Sequence, residues 1–158
     1  MNILRGDKME FEYAIKLALG ITALEDIPIM FRDKASDLQN TEELLEYVRS
    51  KQWEEIKVNR DNAETSGLPF KDKILDYDMR SAFKLDIAME TAKQVGEGFS
   101  IDWTMQDNTV MTLTYSDLLS IPLIAANYSN ELHKKARIYR DKIYNETDIK
   151  AIAKIKWE

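Results

Sequence analysis

Residues that break regular structure are scarce in this chain, which has five Gly and three Pro among 158 residues. So few leave little room for flexible linkers or for the dense turns of an all-β sandwich, and helix is the expected majority. A hydrophobic share of 44% with 32% charged residues suits a folded protein rather than a disordered one. The length suits one domain, or one domain with an N-terminal appendage. A core of ordinary size is within reach, so neither a disulfide nor a metal is needed to hold the fold.

Composition also excludes chemistry. There is no Cys, which removes disulfides, thiolate nucleophiles and cysteine-ligated metals together. A single His, His133, rules out a multi-histidine metal site within one chain. The opening residues lack the apolar core of a secretory signal, and no stretch approaches the ~20 apolar residues of a membrane helix. The expectation is a protein made and kept in a cytoplasm, or packed into a particle assembled there. Net charge is −6 but unevenly placed. Residues 133–158 hold 8 Lys/Arg against 4 Asp/Glu, net +4, so the remaining 14 and 24 give −10. An acidic body with a basic end argues against general nucleic-acid binding and leaves the basic end free to dock on an acidic partner.

Along the chain, residues 9–19 read as a short apolar helix or strand closed by Gly20. Residues 21–39, with Pro28 inside, carry no clear period and read as an irregular arm. Asn40-Thr41-Glu42-Glu43 has the form of a capping box, with Asn40 as the cap, opening a helix to about residue 65. Leu44, Leu45, Val48, Ile56 and Ala63 keep its 3.6 period, and Ser66-Gly67 stops it. Residues 70–78 suggest a short strand or ribbon. A second helix starts at residues 78–81, with Leu85, Ala88, Met89, Ala92 and Val95 on one face. Phe99, Ile101, Trp103 and Met105 then alternate strictly with Ser100, Asp102 and Thr104, the period of a half-buried strand. Asp107-Asn108 supplies a turn tolerant of positive φ, and residues 110–114 return as the partner strand. Thr114 to Asp117 is another capping box, opening a long helix to about residue 144, with Pro122 expected to kink it or mark where regular helix begins. Ile149, Ile152, Ile155 and Trp157 belong to a final short helix.

Several residues invite a chemical reading. Asp76-Tyr77-Asp78 has the form of a metal-binding Asp–x–Asp, but no strand–Gly-loop–helix unit for a nucleotide accompanies it. Asp78 is better read as a helix cap, with Asp76 pairing with Arg80 or nearby backbone. His133 would need a nucleophile or an orienting carboxylate beside it, and reads as a helix-surface residue. Carboxylate pairs can always be found among 28 acids, so their presence decides nothing about glycoside cleavage. Trp103 and Trp157 read as core and Trp53 as the best exposed aromatic. Lys134, Lys135, Arg137, Arg140 and Lys142 form a basic face interrupted by Asp141, a solvated helix face rather than a nucleic-acid helix.

The order of these elements carries a resemblance: long helix, Gly turn, ribbon with Asp–x–Asp, helix, Trp hairpin, long helix, short helix ending in Trp. With Arg60-Asp61, Ser66-Gly67, Phe70, Asp76, Asp78, Arg80-Ser81, Ile87-Ala88, Ala92, Trp103, Asp107-Asn108, Leu113, Leu118, Ala125, Ala136, Ile143, Ile152 and Trp157, the chain resembles a domain of unknown function found in bacteriophage tail-fibre and tail-fibre-assembly proteins. The resemblance runs over roughly residues 45–158. It departs from the family pattern at Lys71-Asp72-Lys73, where the family usually has a Gly. It implies a role in the virion or its assembly and implies no chemistry.

The expected fold is therefore α+β, mostly α, with long helices near 41–66 and 115–144, a shorter helix near 79–95, a β-hairpin at 99–114 and a short C-terminal helix. Residues 1–40 are expected to form an attachment arm and 41–158 the tail-fibre-type domain. The expected function is protein–protein binding as a structural component or adaptor of a phage tail, without enzyme activity or cofactor. A tail-fibre assembly chaperone is the first alternative, and a host-surface saccharide-binding protein or carboxylate hydrolase the second. Partners would be tail-fibre or baseplate subunits, with a homo-oligomer of the chain as a further option, and with no nucleic acid and no membrane insertion. The place would be the virion tail, assembled in the host cytoplasm. The expected contact residues are Ile27, Pro28, Ile29, Met30 and Phe31 in the arm, Asp76 and Tyr77 in the ribbon, and Asp107 and Asn108 at the hairpin tip.

Overall fold

A computed structural model describes residues 5–158. The first four residues of the expected arm lie outside the described residues. The elements are α1 (Arg5–Leu19), a 3-10 turn (Leu24–Asp26), α2 (Ile29–Leu38), α3 (Glu42–Thr65), β1 (Leu68–Phe70), β2 (Lys73–Leu75), α4 (Met79–Val95), β3 (Ser100–Thr104), β4 (Val110–Thr114), α5 (Tyr115–Asn145) and α6 (Ile149–Ile152). The fold is thus mostly helical with a minor β component, as the periodicities require. The chain gathers into two compact units. One comprises the described residues up to Lys57 together with Arg137–Glu158, and the other comprises Val58–Ala136. Helices α3 and α5 each contribute residues to both.

This division does not follow the expected boundary at residue 40. Segment 21–39 is not an irregular arm, because α2 occupies most of it. The reason lies in Arg32, whose guanidinium donates to the carbonyls of Glu25 and Ile27 at 2.8 to 3.2 Å. Those bonds hold the turn before α2, in which Ile27 is buried to 1% exposure, and Ala35 and Leu38 are buried in the helix itself. α1 is helical throughout. It ends in a Schellman motif, with Ile21 N–H on the Lys16 carbonyl (2.8 Å), Gly20 N–H on the Leu17 carbonyl (3.0 Å), and Gly20 at φ +71. α1 packs on α2 and α6, and ring stacks join Phe11 to Tyr47 and Tyr13 to Phe31.

The same unit is clasped by polar side chains of α3. Arg49, almost fully buried, donates to the Glu146 carbonyl at 2.7 and 3.2 Å and pairs with Glu46. Gln52 Nε2 donates to the Ile155 carbonyl at 2.7 Å, and Lys156 pairs with Glu55 at 2.7 Å. These three α3 residues, three apart, lie along one face and fasten the last dozen residues of the chain. Trp157 packs on Tyr139 with the rings tilted by 39° and their centroids 5.6 Å apart.

Unit 58–136 is built around an apolar cluster of Leu68, Phe70, Leu75, Leu85, Ala88, Ala92, Met105, Leu113, Leu118 and Ile121. Two antiparallel hairpins cover it, β1–β2 with Leu68 opposite Leu75, and β3–β4 with Trp103 opposite Met111. The alternation seen in sequence is kept. Ile101 and Trp103 are half-buried, Met105 is buried, and Ser100, Asp102 and Thr104 are exposed. Gly67 is obligatory, since its φ is +141 and a Cβ there would stand 2.5 Å from Ile74 Cγ2.

Caps follow the sequence in two cases of three. Asp78 accepts from Ser81 N–H at 2.7 Å. Thr114 and Asp117 form the reciprocal box, at 3.1 and 3.3 Å. The third differs by one residue, as Thr41 rather than Asn40 caps α3, accepting from Leu44 N–H at 3.1 Å. Pro122 lies inside a continuous α5, where it lacks the N–H that would bond the Leu118 carbonyl.

Candidate interaction surfaces

The nine expected contact residues divide between the two units and behave differently within them. In the run Ile27–Phe31, Ile27 is core and Phe31 is half-buried against Tyr13, so the run has a place in packing after all. Pro28 precedes α2 as its N-cap residue. Only Ile29 and Met30, at 81% and 77% exposure on the first turn of α2, present large apolar surface to solvent. Because Ile27, Ala35 and Leu38 are buried, deleting 21–39 should destabilise the unit.

In unit 58–136 the hairpin tip is partly consumed internally. Asn108 takes φ +61, as an Asp-Asn turn permits. Asp107 accepts from the Thr109 backbone N–H at 2.9 Å and from Lys73 at 2.9 Å. The Thr109 hydroxyl and then the Lys73 ammonium hold its carboxyl well below the usual carboxylate range. The Gln106 N–H on the Ile74 carbonyl (3.0 Å) and Gln106 Nε2 on the Ser66 carbonyl (2.6 Å) complete a seam between the two hairpins. Lys71, in the turn where the family pattern has Gly, adopts φ +54. Its ammonium lies 2.8 Å from Asp117. Burial pushes the Asp117 carboxyl up, but hydrogen bonds from Lys71 and Thr114 outweigh it and leave the group below its ordinary value.

Tyr77 points inward against the apolar cluster, and burial, then Asp86, raises its phenol. Asp76 is exposed and lines an open cleft of about 320 Å³ with Ser81, Lys84, Asp102, Trp103 and Thr104. Asp78 is occupied as a cap, its carboxyl lowered chiefly by the Ser81 backbone bond, so the Asp–x–Asp does not converge as a pair. Among the described residues, no three or more His, Asp or Glu side chains gather as a metal site, and no helix is long and apolar enough to cross a membrane.

Two features were missed in the sequence. His133 does have a carboxylate and a hydroxyl beside it, since its Nε2 lies 3.2 Å from Glu64 Oε1 and Ser129 donates to that same oxygen. The Ser129 proton is directed at Glu64, not at His133, so the trio lacks a nucleophile–base hydrogen bond and works as a clasp between α3 and α5. The second is the outer face of α4. Met79, Phe83 and Ile87 are 90%, 65% and 51% exposed, opposite the buried Leu85, Ala88 and Ala92. Val95, expected with the core residues, is exposed too. The i, i+4, i+8 spacing of Met79, Phe83 and Ile87 was the available signal.

Comparison with protein families matches residues 47–156 to the domain of unknown function DUF4376, and the chain belongs to that family. The match contains all of unit 58–136 together with parts of α3, α5 and the C-terminal segment. Neither the curated proteins nor the solved structures include a match to the chain.

Proposed function

We propose, from the premise that the chain is a DUF4376 protein, that it is a structural component or adaptor of a bacteriophage tail that acts by binding other tail subunits and performs no chemistry. The phage assignment rests on the residue-by-residue resemblance to tail-fibre and tail-fibre-assembly proteins described above. The observation that carries the binding role is the exposure of large apolar side chains on an ordered helix, Ile29 and Met30 on the first turn of α2. Such apolar surface on a folded unit marks contact with another protein. The acidic body and basic C-terminal stretch would orient docking, although Lys156 and Lys134 are already paired with Glu55 and Glu131. The protein would be assembled in the host cytoplasm and carried in the virion. An assembly chaperone would use the same surfaces and leave before the particle is complete.

Co-expression with the tail-fibre and baseplate subunits of its phage, followed by light scattering, tests the reading. A defined complex with one subunit is expected. Failure to bind any of them overturns it. One observation favours a second reading, host-surface saccharide binding: the open cleft sets Asp76 and Asp102 beside the half-buried Trp103, polar groups next to an aromatic ring. Titration with host surface saccharides, comparing the wild type with Trp103→Ala, decides it. Binding that the substitution abolishes supports this reading, and no binding removes it.

A further inference from the structure

The outer face of α4 has a pattern that specifies one occupant. At 3.6 residues per turn, Phe83 and Ile87 sit about 40° apart at the centre of the exposed face, opposite Leu85 and Ala92. Arg80 lies one step towards the N-terminus on this face and Glu90 one step towards the C-terminus, both exposed. Along a coiled-coil seam, Arg80 and Ile87 take one core position of the heptad and Phe83 and Glu90 the other.

We propose that this face pairs antiparallel with the same face of a second copy, about a two-fold axis passing between Phe83 and Ile87. In that register Phe83 meets the partner's Ile87, and Arg80 meets the partner's Glu90. Two apolar layers are thus bounded at each end by an Arg–Glu layer. A parallel pairing would set Arg80 against Arg80 and Glu90 against Glu90, which like-charge repulsion disfavours. The two-fold arrangement repeats every contact and closes on itself, so it yields a dimer and not a chain.

Glu90 already lies 2.6 Å from Lys93 on the surface, but an exposed pair of that kind is weak and yields to a partner. Lys84 and Asp86 flank the axis, each near its own counterpart, and hold the affinity down. One helix face buries less than the roughly 800 Å² per partner of a stable complex, so the dissociation constant should be on the order of 100 µM. This inference does not depend on the tail assignment, because it concerns the chain alone.

Sedimentation equilibrium of the full chain at low salt, from about 10 µM to about 1 mM, tests it. The average mass should rise from 18.4 kDa towards twice that value. Phe83→Glu, at an exposed position where folding is checked by circular dichroism, should stay at 18.4 kDa throughout. Arg80→Glu and Glu90→Arg alone should each weaken association by about tenfold, and the double reversal should restore it to within about threefold. A mass that never rises, a Phe83→Glu variant that still associates, or a double reversal as impaired as the single ones would overturn the proposal.

Discussion

The two compact units both bury apolar cores and differ in the polar bonds added to them. Unit 58–136 closes two hairpins over a continuous apolar cluster, and its polar bonds sit at the rim. The other unit, made of the described residues up to Lys57 with Arg137–Glu158, has an apolar core of its own, with Phe11, Ala14, Leu44, Ile56, Ile143 and Ile152 buried, and adds polar side chains that reach carbonyls about a hundred positions away in sequence. A cluster assembled from one contiguous stretch resists local loosening. A clasp made by Arg49, Gln52 and Glu55 concentrates the hold on the C-terminal segment on a few residues. The units should therefore fail under different insults.

The largest effect should come from the apolar cluster. Leu113→Ala, at a fully buried site, should cost about 3 to 4 kcal/mol in urea unfolding, with loss of protection concentrated in 58–136 by hydrogen exchange. A comparable loss of protection over 146–158 would break the distinction between the units.

Next comes Gly67→Ala, where an added Cβ meets Ile74 and the Leu75 carbonyl while φ stays at +141. A loss of about 2 to 3 kcal/mol is expected, again confined to unit 58–136. Arg49→Met should cost about 2 kcal/mol, because the partly buried bond to the Glu146 carbonyl and the Glu46 pair go together. Its signature is faster exchange over 146–158 with 99–114 unchanged.

The smallest effect is on pH. Asp78, Asp107 and Asp117 all lie in unit 58–136, and each has a folded-state carboxyl below its ordinary value. Groups depressed in this way stabilise the fold above the unfolded carboxylate range near pH ~4, and the stability is lost as pH falls below it. Urea midpoints followed by Trp fluorescence should therefore drop on acidification. Asp107→Asn should flatten part of that fall, and an unchanged slope would mean that the Lys73 and Thr109 bonds contribute nothing.

How much of this was legible depended on whether the ordering forces were local. Hairpin 99–114 was readable because strict alternation and an Asp-Asn turn agree. Helices α3, α4 and α5 were readable from period and caps, the α3 cap being off by one residue. α2 was not readable. Its buried Ala35 and Leu38 span one turn, too little for a period, and the preceding turn is ordered by Arg32 reaching back to two carbonyls. The Ile27–Phe31 run reads in sequence as contact residues of an arm because sequence cannot say that Tyr13 stacks on Phe31. The outer face of α4 escaped notice for the opposite reason: Met79, Phe83 and Ile87 keep a helical spacing of their own, but so do the core residues, and packing decides which of the two faces stays uncovered.

Mass spectrometry of purified particles of the phage most directly tests the central claim, that these exposed faces serve a protein retained in a tail. Peptides of the chain should appear in amounts comparable with the other tail subunits. Their absence from particles that contain a full set of tail proteins would contradict the structural role and leave the assembly chaperone in its place.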